Sequence, residues 1–191
     1  TMLLPFADGD VDAATAAILT NKLLQLAGGA VYDENGKAQI VHDQKLEVLD
    51  QLIEEANGQP VLVFYNYKHE LDRLQARYPQ AVHVKEENVV KRWNAKEIPI
   101  LLANPASAGH GLNLQFGGHI AIWYSPTWNL EFFQQANKRL HRRGQTEPVL
   151  IHTLAAKGTI DERIYDIVLR NKEAGQNALL EAVKARIKEV T

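Results

Sequence analysis

The spacing of apolar residues changes character at Pro60. Before it, they recur at helical intervals. Over residues 11–27, Ile18, Leu19, Leu23, Leu24 and Leu26 share one side, and Gly28-Gly29 ends the run. Leu46, Leu49, Leu52, Ile53 and Ala56 form a second such face, with Asp43 placed to cap its start and Gly58 to close it. Between them, Ala30-Val31-Tyr32 and Gln39-Ile40-Val41 flank Asp33-Glu34-Asn35-Gly36-Lys37, and an Asn-Gly between short apolar runs predicts a hairpin. These first 58 residues read as a lead-in packed on the main body rather than as a site.

After Pro60 the apolar residues become continuous short runs, as in parallel strands buried on both faces. Val61–Tyr65, Ala81–Val84, Ile98–Ala103, His119–Tyr124 and Val149–Leu154 predict five strands. Between them the pattern predicts a helix from Asn66 with Leu71 and Leu74 inward, another over Asn88–Asn94, and a basic one over Asn129–His141. Thr159 is placed to cap a final helical segment reaching about Val190, bent or broken at Gly175. Strands alternating with helices at this spacing mean βαβ units, hence an α/β fold with a mainly parallel sheet. The expected organisation is 1–58 as lead-in, 59–175 as the main domain and 176–191 as a C-terminal helical extension.

Composition narrows the class. At 191 residues, 46% hydrophobic and 23% charged, the chain fits one ordinary globular domain with a long appendage. No apolar run is long enough to span a membrane. The N-terminus lacks a signal-peptide layout, and Thr1-Met2 reads as an internal point of a longer gene. Cysteine is absent, which excludes disulfides and thiolate metal sites and suits a reducing cytoplasm. The formal net charge of -2 argues against coating nucleic acid by bulk charge, so any such contact must be local.

One stretch concentrates what basic charge there is. In Gln134-Gln135-Ala136-Asn137-Lys138-Arg139-Leu140-His141-Arg142-Arg143-Gly144-Gln145, five of twelve residues are Lys, Arg or His. On a helix, Gln135, Arg139 and Arg142 share a stripe. A bare Arg-x-x-Arg is ordinarily a solvated face. Paired guanidiniums also suit a polyphosphate, because the planar fork bonds phosphate oxygens two at a time and keeps its charge. In an open α/β sheet, ligands sit beyond the carboxyl ends of the strands. Three stretches are expected there: Asn66-Tyr67-Lys68-His69, the small-residue loop Pro105–Leu114, and the arginine helix reached through Ser125–Asn129. Within the loop, Ser107, Ala108, Gly109 and Gly111 allow close backbone approach to a phosphate or sugar, although a tight turn explains them equally. No phosphate-binding Gly-x-x-x-x-Gly-Lys-Ser/Thr occurs, and no dinucleotide fingerprint. His110 and His141 have no second ligand at metal spacing, so no metal site is expected. No carboxylate pair in these loops supports acid–base hydrolysis. Of the aromatic residues, Trp128 is the one with a possible surface role.

Taken together, Val61–Tyr65, then Ser107-Ala108-Gly109-His110-Gly111-Leu112-Asn113-Leu114-Gln115, then Gln135-x-x-x-Arg139-Leu140-His141-Arg142-Arg143-Gly144-Gln145 resemble helicase motifs IV, V and VI. They stand in the order found in the second, C-terminal RecA-like domain of superfamily-two helicases, and the sixth resembles that of the Swi/Snf branch. Pro126-Thr127-Trp128-Asn129 and Lys157-Gly158-Thr159-Ile160-Asp161-Glu162 are similar to further segments of that branch. The resemblance covers roughly residues 45–175, and the lead-in is similar to bacterial or phage members. Relatives often carry two glycines where Ala108-Gly109 stands.

The resemblance implies a RecA-like three-layer fold and the second motor domain of an ATP-dependent DNA translocase or helicase. Arg139 and Arg142 would be arginine fingers toward the ATP γ-phosphate, with Gln135, Gly109, Gly111 and Asn113 around the nucleotide. Lys68, His69 and Ser107 would meet the DNA backbone without reading sequence. Mg-ATP would be held mainly by a first RecA-like domain, whose Walker A and Asp-Glu-x-His motifs do not occur in these residues, so the fragment alone is expected to be inactive. The partners implied are that first domain and DNA, in duplex form because the Swi/Snf resemblance favours translocation along duplex; no membrane is implied. The residues alone leave two alternatives open: the nucleotide-sugar half of a glycosyltransferase, and a non-catalytic adaptor domain.

Overall fold

In the computed structural model, residues 13–108, 111–167 and 170 are described. The elements in order are α1 (Ala13–Ala27), β1 (Ala30–Tyr32), β2 (Ala38–Ile40), α2 (Gln44–Glu55), β3 (Val61–Phe64), α3 (Lys68–Arg77) and β4 (Val82–His83). They continue with α4 (Val89–Asn94), β5 (Ile100–Ala103), α5 (Pro105–Ala108), β6 (Ile120–Trp123), α6 (Leu130–Asn137) and β7 (Leu150–Thr153). Residues 160–167 are again helical. Gly109, His110, Gly175 and the expected extension 176–191 lie outside the described residues.

The five expected strands form one sheet in the order β4-β5-β3-β6-β7. Every pairing is parallel, with Val61 opposite both Ile100 and Ile120, and Ile120 opposite Leu150. Because side chains alternate across a strand, the apolar runs supply two cores. Leu62, Phe64, Leu101, Ala103, Ala121 and Trp123 face α4 and α6, meeting Trp93, Phe133, Ala136 and Leu140. Val61, Val63, Ile100, Leu102, Ile120 and Ile122 face α2 and α3, meeting Leu46, Leu49, Leu74 and Tyr78. The result is the expected three-layer α/β arrangement. Helix α2, inside the stretch read as lead-in, thus packs in the same core as the central strand.

The Asn-Gly hairpin is present as β1 and β2, with Ala30 opposite Ile40. Gly36 takes the left-handed backbone its turn needs (φ 75°), and Asp33 Oδ1 accepts from Asn35 N and Lys37 N, both at 2.9 Å. The lead-in is fastened to the main sheet by hydrogen bonds. Arg73 donates to Gly28 O and His42 O, and Tyr124 donates to Gly28 O. Asp43 stands at the start of α2, but its carboxylate pairs with Arg73 at 2.7 Å and does not cap the helix.

Two helices differ from expectation. The basic helix stops at Asn137, and the chain from Lys138 to Gln145 runs in tight turns. Helix α3 begins at Lys68, since the N-cap Tyr67 before it has extended backbone (φ -105°, ψ 149°). Thr159 does serve the final helix: its hydroxyl accepts from Asp161 N at 3.2 Å.

Candidate functional site

The loops expected together beyond the carboxyl ends of the strands separate to opposite edges of the sheet. At the carboxyl edge lie the segments after β3, β5 and β6. Asn104 Nδ2 donates to Tyr65 O and Asn66 O, each at 3.3 Å, and Asn66 Nδ2 donates to Pro126 O. Under them lies Glu70, a buried carboxylate near the start of α3. It accepts from Asn66 N at 2.8 Å, from Tyr67 N at 3.2 Å and from the Ser125 hydroxyl. Burial pushes its carboxyl upward, opposed by these same hydrogen bonds. Glu70 ties two loops together, and neither it nor Ser125 was singled out in the sequence. The signal was there: an acidic residue three positions after a helix start reaches back to the leading N–H groups.

Around this edge, Lys68 is exposed, Ser107 is half-buried and Trp128 is 47% exposed. His69 does not join them. At 2% exposure its ring is stacked on Tyr67 at 5.3 Å and meets Tyr32 edge-on at 5.0 Å. Both ring nitrogens are buried with no hydrogen-bond partner among the described residues. Burial, reinforced by the Arg73 charge, lowers its pKa to about 4. The expected nucleic-acid-facing residues thus differ in setting: the His69 ring is covered, whereas Lys68 is exposed.

The arginines lie at the amino edge. β5 ends at the carboxyl edge, whereas residues 113–118 stand at the far edge, just before β6. There Trp93 Nε1 donates to Leu114 O at 2.8 Å and Asn94 Nδ2 to Asn113 O at 2.9 Å. Gly117 and Gly118 lie under Trp93: a Cβ on Gly117 would come within 2.3 Å of Trp93 O. Helix α6 runs back along the same face, so the turn following it arrives beside this loop. Leu114 N donates to Arg139 O at 3.3 Å, and Arg142 Nη1 donates to Asn113 Oδ1.

Arg139 and Arg142 therefore share the site without sharing a helix. Arg139 is half-buried, and burial, then the Arg142 charge, lower its guanidinium from the ordinary value. Arg142 is exposed and bonds a neutral amide, which leaves its charge for an anion. Gln135, in α6, donates to Glu131 Oε1 at 2.7 Å. Gly111 is exposed with φ 72°, a conformation that disfavours a side chain although the space is open. Asn113 is engaged by Arg142 rather than standing apart from it. Among the described residues, no group of three His, Asp or Glu is placed to hold a metal ion.

The helicase conserved C-terminal domain family matches residues 44–144, more than half of the chain. Protein p41 of Acyrthosiphon pisum secondary endosymbiont phage 1 is 40% identical over 193 residues, covering 97% of this chain and 42% of that protein. The chromatin-remodeling ATPase INO80 of Mycosarcoma maydis is 32% identical over 170 residues, covering 79% of this chain and 9% of its own length. The crystal structure of the C-terminal part of the Fun30 ATPase domain superposes with a TM-score of 0.58 and 25% identity, covering 65% of this chain and 44% of that one. The chain spans less than half the length of these curated relatives. Motif order, parallel sheet and relatives agree, and the chain belongs to the helicase conserved C-terminal domain family, as the second RecA-like domain of the Swi/Snf branch of superfamily two.

Proposed function

We propose that this chain is the second motor domain of an ATP-dependent DNA translocase, and that Arg139 and Arg142 are its arginine fingers. The observation that carries the reading is the arginine turn bonded onto the loop before β6, with Arg142 held by a neutral Asn113. In phosphoryl transfer, charge spreads over the transferred group's oxygens, and fixed guanidiniums stabilise it without reorganising at the moment of reaction. Burial, then the Arg142 charge, lowers the pKa of the Arg139 guanidinium, and an anion entering beside the pair would offset that repulsion.

Bound Mg-ATP would supply the phosphoryl group and its neutralising cation. The described residues fit the phosphate and not the metal, since among them cations come to the site and no carboxylate cluster does. Mg would accordingly be held by the first RecA-like domain. Gln135, Gly111 and Asn113 would border the nucleotide, as would Gly109, which lies outside the described residues. Lys68 and Ser107 would bind the DNA backbone at the other edge, without His69.

The test uses the parent protein carrying both RecA-like domains. Arg142→Ala should abolish ATP turnover while ATP binding falls little; retained turnover overturns the finger assignment. The isolated chain should show no DNA-stimulated turnover.

A further inference from the structure

Gln145 closes the arginine turn, and its side chain is bonded at every position a carboxamide offers. Nε2 donates to Gln115 O and to Gly118 O, both at 2.9 Å. Oε1 accepts from Thr146 N and Glu147 N, both at 3.0 Å. Two donors and two acceptor sites are the full capacity of the group. The two carbonyls belong to the loop before β6 and the two N–H groups to the chain after the arginines, so one amide joins the segments. Next to it, the Gly144 backbone (φ 99°) lies against the Phe116 ring, where a Cβ would come within 3.2 Å of Cε1. Gln145 N also donates to Arg142 O at 3.0 Å, which links the clamp directly to the arginine's own backbone.

From this geometry we infer that Gln145 is a positioning residue for Arg142: its carboxamide fixes the arginine turn in register with residues 113–118. The inference rests on the finger reading above. Arg142 is exposed, with a long side chain whose aim depends on where its backbone is held. Anchors exist on both sides. Asn113 holds the guanidinium, and Gln145 holds the turn three residues later. Without the second anchor, the side chain keeps its charge but loses a fixed origin. Transition-state contacts suffer more from such displacement than ground-state binding does, because they need an oriented group.

Gln145→Glu separates these effects. It preserves length and both acceptor positions but removes the two donors and sets a carboxylate against two carbonyl oxygens. In the two-domain parent at saturating DNA, kcat for ATP should fall at least about tenfold, with KM for ATP and DNA affinity within about twofold. Gln145→Met, which removes the donors without adding charge, should give the same split if the Glu variant does not fold. Retention of kcat within twofold in a folded variant overturns the inference. So does a parallel collapse of kcat, ATP affinity and melting temperature in both variants, which would mark a structural residue only. Arg142→Ala, assayed beside them, keeps the two readings apart. If it kills turnover while Gln145→Glu does not, the positioning role fails and the finger stands. If it leaves turnover intact, the finger reading fails first.

Discussion

At the carboxyl edge of the sheet, a set of polar groups is tied together beside the exposed Lys68; at the amino edge, Arg142 stands exposed beside a half-buried Arg139. Glu70, Asn66, Asn104 and Ser125 meet one another or nearby backbone. Lys45 and Asp161, both buried, add an ion pair at 2.5 Å on this side, with the ammonium 5.9 Å from the Tyr124 ring centroid. Such groups hold loops and have little capacity left for a ligand. At the amino edge, backbone and amide contacts hold a turn in which Arg142 pairs with no carboxylate among the described residues. The difference separates polar residues bonded among themselves from a cation whose hydrogen bond is to a neutral amide.

The sharpest way to break this contrast is to remove one cation from each edge of the two-domain parent. Arg142→Ala should lower DNA-stimulated ATP turnover by about a thousandfold or more, the scale of an arginine finger. Equal losses from Arg142→Ala and Lys68→Ala in a coupled ATPase assay would erase the distinction.

Next is the buried carboxyl-edge pair. Lys45→Ala leaves Asp161 enclosed without its ion partner, and should cost about 3–5 kcal/mol in denaturant unfolding of this chain. Arg92→Ala, at the exposed pair with Glu86, should cost under about 1 kcal/mol. Similar values for the two would show that Asp161 is not enclosed.

His69 supplies a pH signature of the same buried edge. Its folded pKa of about 4 lies below the ordinary 6.5, so between those values protonation favours the unfolded chain. Its contribution is complete above pH 6.5 and is lost as pH falls toward 4, by up to about 3 kcal/mol. Glu70, pushed upward, acts in the opposite sense, so the measurement is a difference. His69→Phe keeps the stack on Tyr67, and its pH–stability curve should be flatter than the parent curve across that window. Identical curves would mean that the ring is solvated.

The smallest effect belongs to Lys68. Lys68→Ala should weaken DNA binding by about 1 kcal/mol uniformly across sequences and reduce the log–log salt slope by about one. An unchanged slope would remove Lys68 from the DNA surface.

The five strands, the hairpin and the three-layer arrangement were legible because each rests on local periodicity. Val61–Tyr65 is apolar at every position, which suits a strand covered on both faces and little else. The motif order from Ser107 to Gln145 made the family legible too. The site was legible as a set of residues but not as a place. The rule that ligands gather beyond the carboxyl ends put three loops together, whereas residues 113–118 and the turn after α6 meet at the far edge of the sheet. The extent of the basic helix was also missed: residues 138–145 carry no helix-breaking signal before Gly144, and the turn is set by contacts with residues 113–118 that lie about twenty to thirty positions earlier.

What the residues determined alone was therefore everything encoded by spacing: strand and helix order, the parallel sheet, the arginine pair and the family. Tertiary structure decided which of those residues meet. It buried His69 between Tyr32 and Tyr67, made Glu70 the tie between two loops, and brought Gln145 to carbonyls at Gln115 and Gly118. The physical reason is common to all three. A polar side chain's role is set by the partners it finds on burial, and those partners come from elsewhere in the chain.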